Sequence, residues 1–134
     1  MRHTLSVLVE NRAGVLARVA GMFSRRGYNI DSLAVGTTER KDISRMTIVV
    51  EGDNRVIEQV TKQLHKLVEV IKVSNITQEE MVDRELVLIK VNANVSQRSE
   101  IMQMVDVFRA KIVDISKKSL IIEATGDRKK LDAI

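Results

Sequence analysis

A short polar loop between an apolar strand and an amphipathic helix carries residue types suited to binding a small anion. Asn11 follows the apolar segment 5–9, and Gly14 stands where helical spacing begins. The first backbone N–H groups of a helix have no partner within it, and the helix dipole favours an anion there. A glycine without Cβ lets a carboxylate approach the backbone closely. A structural alternative is that Asn11 only caps the helix and Gly14 only eases the turn.

The helix after this loop shows two different faces. Apolar residues recur at helical spacing and predict a core stripe of Val15, Leu16, Val19, Ala20 and Phe23. Beside it lies a flank of small residues, Ala13, Ala17, Gly21 and Ser24. Small residues at four-residue spacing let two helices approach closely, which predicts a dimer interface at Ala13, Ala17 and Gly21. An exposed alanine-rich flank is the alternative.

The elements that position this loop form a pattern that occurs twice. The first half predicts strand, helix, strand, strand, helix, strand, with a second strand over 28–35 and Gly27 ending the first helix. Asp53 is a predicted cap for the second helix. From residue 86 the order restarts, with a helical stripe of Ile101, Met102, Val105 and Phe108. Segment 121–127 repeats the outline of 48–53.

This repetition predicts an α+β protein of two ferredoxin-like βαββαβ modules, each an antiparallel sheet with helices on one face. The polar stretch 77–84 marks the boundary, so we expect domains at 1–77 and 78–134. By comparison with the first module, the second lacks its closing helix and strand, and we expect a natural sequence to continue past Ile134.

Composition argues against several classes of function. The chain has no cysteine and two histidines, and no Ser-His-Asp, metal-ligand or phosphate-loop pattern can be read in it, so we predict no catalytic apparatus, metal or cofactor in this chain. His65 is predicted to be solvated. The absence of cysteine and of any apolar signal or membrane segment predicts a cytoplasmic protein. A net charge of +4 and core strands without aromatic residues argue against nucleic-acid binding.

Several ordered segments together resemble the small, regulatory subunit of acetohydroxyacid synthase (acetolactate synthase). The most specific are 5–11, 14–16, 23–33, 44–48, 63–68 and 130–133. The resemblance implies an N-terminal ACT domain over 1–77, a module that senses amino acids, and an incomplete second ferredoxin-like domain over 78–134. It also implies a homodimer and a catalytic large subunit that holds thiamine diphosphate, magnesium and FAD.

The resemblance further implies a binding site for valine, leucine or isoleucine where two ACT domains meet. Carried over by motif, one copy contributes Asn11, Gly14, Val15 and Leu16, and the other contributes Asn29 and Ile30. Backbone N–H groups near Gly14 would hold the carboxylate, the two asparagines would accept from the ammonium group, and Leu16 and Ile30 would enclose the aliphatic side chain. Two alternatives remain at this point, namely an autonomous ACT module acting on another enzyme or on transcription, and a nucleic-acid-binding ferredoxin-like module.

Overall fold

The structure is a computed structural model that describes all residues 1–134. Residues Met1–Glu80 and Met81–Ile134 form two compact units. The first contains β1 (Arg2–Glu10), α1 (Val15–Arg25), β2 (Ile30–Thr37), β3 (Ile43–Glu51), α2 (Asn54–His65) and β4 (Val70–Asn75). The second contains β5 (Glu85–Asn92), α3 (Val95–Val107), β6 (Lys111–Ile115), β7 (Ser119–Gly126) and α4 (Arg128–Ala133). The predicted α+β class and the ferredoxin-like order of elements are confirmed.

The first unit is a four-stranded antiparallel sheet in the order β2-β3-β1-β4. Alternate residues of β1 and β3 point into the core, because successive side chains of a strand face opposite sides of the sheet. Apolar side chains from α1 and α2 complete this core. Its fully buried members include Leu5, Val7, Val9, Val19, Phe23, Met46, Ile48, Val50, Val60 and Leu64. Each such side chain contributes about 1.5–3 kcal/mol by leaving water.

Both predicted helix signals of the first unit are present. Asp53 accepts a hydrogen bond from the Val56 N–H at 3.0 Å and caps α2. Gly27 has a φ of +72° and follows the last turn of α1. The Tyr28 N–H then donates to the Phe23 carbonyl at 3.0 Å. Because the turn at Arg26 and Gly27 and the Tyr28 bond to Phe23 still belong to the end of α1, β2 begins at Ile30, and the predicted strand start at residue 28 was two residues early.

The second unit is a three-stranded antiparallel sheet in the order β5-β7-β6. Its strands correspond to β1, β3 and β2 of the first unit, and the outer edge of β5 has no paired strand. A cavity of about 160 Å³ with an apolar lining lies between α3 and the sheet. Val105 is buried, as the helical stripe predicted, whereas Met102 is 39% exposed and is not part of the core.

None of the four helices combines the length and apolar character needed to cross a bilayer. His65 is exposed, as predicted from its place on α2. No three histidine, aspartate or glutamate side chains lie close enough together to hold a metal ion.

Candidate functional site

The loop 11–14 joins β1 to α1 and ends in an unusual backbone conformation. Gly14 is the N-cap residue of α1 and has φ +87° and ψ −13°, in the left-handed region that favours glycine. No side chain caps this helix, whereas Asp53, Asn94 and Asp127 cap the other three. The N–H groups of Leu16 and Ala17 therefore have no acceptor within the protomer. This helix start offers free donors to an anion.

Val15 and Leu16 occupy different environments although they are neighbours. Val15 is 4% exposed and belongs to the core, and its N–H has a long contact of 3.4 Å to the Arg12 carbonyl. Leu16 is 46% exposed, so its prediction as a core residue was wrong, and Met22 is buried on that stripe instead. The exposed Leu16 side chain is available to a ligand or to a second copy of the chain.

Asn11 does not cap α1, so the structural alternative for this residue was wrong. Its Nδ2 donates to the Lys41 carbonyl at 2.8 Å, and its backbone N–H donates to the Asp42 carbonyl at 2.8 Å. Both bonds tie the loop to the β2–β3 connection. The side-chain Oδ1 has no partner in the protomer and is free to accept a hydrogen bond.

Asn29 and Ile30 lie where α1 gives way to β2. Asn29 is exposed and immediately precedes the strand, and Ile30 is its half-buried first residue. β2 is an edge strand of the sheet, and Leu33 and Val35 on it are 38% and 46% exposed. An exposed edge of this kind presents unpaired backbone groups to another strand.

The strand register separates the two groups of predicted site residues. His3, Val50 and Ile30 are aligned across β1, β3 and β2, and Val9, Ser44 and Thr37 are aligned in the same way further along. Six residues of β1 separate the two rows, which is about 20 Å at ~3.3 Å per residue.

The predicted site residues lie beyond these two rows. Asn29 precedes the first row, and Asn11 follows the second. Within one protomer the structure brings Asn11, Gly14, Val15 and Leu16 together but keeps Asn29 and Ile30 at the opposite end of the sheet.

The small-residue flank of α1 lies on the surface. Ala13 and Ala17 are exposed, and Gly21 is half-buried. Ala17 and Gly21 line a surface groove together with Arg18 and Arg25. A Cβ added to Gly21 would meet no atom within 4 Å in the protomer. The flank is therefore accessible to a second helix.

Sequence reasoning missed two buried ionisable residues of the first unit. Glu69 is 8% exposed and lies near Arg12 and Arg18, and His3 is 3% exposed with no hydrogen-bond partner for either ring nitrogen. The alternation of β1 places His3 on the same face as Leu5, Val7 and Val9, so its burial could have been predicted. No local pattern signals Glu69, because its arginine neighbours come from segments far apart in the sequence.

Comparison with known proteins gives consistent matches over the whole chain. A family model described as the AHAS small subunit-like ACT domain matches residues 5–72, and one described as the small subunit of acetolactate synthase matches residues 84–134. A probable acetolactate synthase small subunit of Archaeoglobus fulgidus is 64% identical over 133 residues, which are 99% of this chain and 83% of that relative. The acetolactate synthase small subunit of Mycobacterium avium is 58% identical over 98% of this chain and 79% of its own length.

Solved structures agree with these matches. The crystal structure of the acetolactate synthase small subunit from Thermotoga maritima superposes with a TM-score of 0.90 at 47% identity, covering 99% of this chain and 83% of that one. An ACT domain from the GTP pyrophosphokinase of Chlorobium tepidum matches with a TM-score of 0.51 at 15% identity, over 60% of this chain and 91% of that one. The second match supports the fold alone.

Proposed function

This chain belongs to the family of acetolactate synthase small subunits, and on that premise we propose that it is a non-catalytic regulatory subunit. It binds the catalytic large subunit, raises its activity and transmits feedback inhibition by a branched-chain amino acid, with valine as the first candidate and leucine or isoleucine as alternatives. The thiamine diphosphate, magnesium and flavin of the reaction belong to the large subunit.

The uncapped start of α1 supports a carboxylate-binding role for the loop 11–14. The free N–H groups of Leu16 and Ala17 point along the helix axis toward the loop, where the partial positive charge of the helix dipole adds to their attraction for an anion. Gly14 leaves the approach open because it has no side chain. The free Oδ1 of Asn11 is suited to accept a hydrogen bond from the ammonium group, and the exposed Leu16 to contact an aliphatic side chain.

The separation of Asn11 from Asn29 supports a site shared between two copies. If the edge strands β2 of two protomers pair antiparallel about a two-fold axis, Ile30 of one copy comes level with Thr37 of the other. Thr37 lies in the row of Ser44 and Val9, at the end of the sheet that carries the loop 11–14. The two groups of site residues then meet at one interface, and two equivalent sites form per dimer.

The same arrangement brings the two α1 helices side by side on one face of the joined sheet. The accessible small residues Ala13, Ala17 and Gly21 permit close contact between these helices. An amino acid bound at this interface contacts both protomers, so its affinity depends on how they pair. The bound amino acid shifts the pairing of the protomers only by as much as its affinities for the two arrangements differ. That shift in pairing is the change transmitted to the catalytic subunit.

The observation that carries this proposal is the placement of the two halves of the motif at opposite ends of one sheet, so that one ligand could contact both halves only with a second copy present. The test is to mix the purified chain with a catalytic subunit of acetolactate synthase and to measure activity with and without valine. We expect higher activity than the catalytic subunit has alone, and inhibition by valine only in the mixture. Unchanged activity and no valine response would refute the proposal.

A further inference from the structure

We propose that Glu69 is a positioning residue for the loop 11–14 and for the first turns of α1. Glu69 lies between α2 and β4, and its side chain is 10% exposed. Its Oε1 lies 3.4 Å from Arg18 Nε and 3.9 Å from Arg12 Nη2. Insofar as this loop binds an effector, the inference rests on the proposed function.

Glu69 contacts three successive parts of the chain around the loop. Its carbonyl accepts the Glu10 N–H at 2.9 Å, which holds the end of β1. Its carboxylate lies within ion-pair distance of Arg12 in the loop and of Arg18 on α1. Arg12 Nη2 is also 2.8 Å from Glu10 Oε2. The carboxylates of Glu10 and Glu69 and the guanidinium groups of Arg12 and Arg18 therefore form one ion-pair network.

The energetics of this network favour a role in placing the loop. A buried carboxylate is costly unless cations and hydrogen bonds compensate it, and Glu69 Oε2 has no partner. The two arginines are therefore held in the arrangement that best compensates this charge. Their own side chains are 60% and 57% exposed, so water can solvate them when the carboxylate is removed. We expect the loop to relax and the core to stay folded in that case.

Loop placement matters because an anion site made of backbone N–H groups depends on the position of the backbone. Such a site binds its anion well when neighbouring residues hold the N–H groups in the geometry that the anion requires. Glu69 reaches the loop through Arg12 and the helix start through Arg18, and these segments flank Gly14. It can therefore act on binding without touching the ligand.

The first test measures hydrogen exchange of the full chain without ligand. In Glu69→Gln we expect the hydrogen-bonded amides of Asn11, Arg12 and Arg18 to exchange at least about threefold faster, because the charge that holds both arginines is lost. Glu58→Gln is the matched control, since Glu58 is an exposed carboxylate on α2, outside both halves of the proposed site. Equal exchange of the Asn11, Arg12 and Arg18 amides in the wild type and in Glu69→Gln would overturn the inference.

A second measurement distinguishes positioning from general packing. In a chain carrying Arg12→Gln and Arg18→Gln, the loop has already lost its anchor, so adding Glu69→Gln should not speed exchange further. If Glu69→Gln speeds exchange as much in that chain as it does in the wild type, Glu69 acts through the core and the inference is wrong.

Calorimetric titration with valine links the result to the proposed function. We expect Glu69→Gln to bind valine roughly 3- to 10-fold more weakly than the wild type, and Glu58→Gln to bind it equally well. Unchanged affinity in Glu69→Gln would overturn the inference while leaving the proposed function in place. If the wild type binds no valine, leucine or isoleucine but its loop exchange depends on Glu69 as described, the proposed function fails and the positioning role stands.

Discussion

Asn11 and Asn29 lie at opposite ends of the same four-stranded sheet. Near one end of the sheet, Val9 on β1 is aligned with Thr37 on β2 through β3, and Asn11 lies just beyond Val9. Near the other end, His3 on β1 is aligned with Ile30 on β2, and Asn29 lies just before Ile30. A single small ligand cannot reach both residues within one protomer. A two-fold axis that pairs the β2 edges would bring the Asn29 of one copy to the Asn11 of the other.

Asn29→Ala should weaken the binding of valine while leaving the fold intact. Asn29 is exposed and makes no hydrogen bond within the protomer, so its removal costs the fold little. Losing one hydrogen bond to the ammonium group costs about 1.5–3 kcal/mol, which is roughly a 10- to 100-fold loss of affinity. Calorimetry measures this loss, and Asn54→Ala, an exposed asparagine at the start of α2, is the control. Equal affinity in Asn29→Ala and the wild type would remove Asn29 from the site.

Gly21→Leu should disrupt self-association without damaging the protomer. The added side chain meets no atom of its own chain within 4 Å at Cβ, and leucine is a better helix former than glycine. At a close contact between two α1 helices the same side chain would force the backbones apart. Sedimentation velocity should show a smaller species, with helical circular dichroism retained. Gln59→Leu on the exposed face of α2 should sediment like the wild type, and identical profiles for all three proteins would refute the interface.

Gly14→Ala should destabilise the first unit although the space for a methyl group is open. No atom lies within 4 Å of the added Cβ, so the cost comes from the φ of +87°. An L residue in the left-handed region costs about 1–2 kcal/mol, and we expect a loss of that size in the free energy of unfolding by urea. Gly36→Ala adds a methyl group in open space at ordinary φ and should change it by less than about 0.5 kcal/mol. An equal effect of the two substitutions would contradict this explanation.

His3→Leu should raise the stability of the first unit. The imidazole is 3% exposed, and neither nitrogen has a hydrogen-bond partner, so the folded state carries the cost of desolvating it. Replacing an unpartnered buried polar group with an apolar one of similar volume should recover about 1 kcal/mol. Thermal unfolding would show a higher midpoint than in the wild type, whereas the exposed His65→Leu should leave it nearly unchanged. A lower midpoint for His3→Leu would indicate that the imidazole is satisfied by bound water.

From the sequence alone one could predict the types of the elements, their order, the end of α1 and the start of α2. Helix periodicity, the Asp53 cap and the stop at Gly27 depend on residues only a few positions apart, so they could be predicted from local spacing. The repeated order of elements, in turn, led to the fold class. The start of β2 was predicted two residues early because Tyr28 still bonds back to Phe23 at the end of α1.

Only the tertiary structure decided the relations between distant segments. The register across β1, β3 and β2 separates Asn11 from Asn29, and the packing of the segment before β4 brings Glu69 to Arg12 and Arg18. These relations depend on which strands pair and where each pairing begins, and a shift of one residue would turn every side chain of a strand to the other face. No local pattern carries that information, because the free energy that selects the register comes from contacts made across the whole sheet.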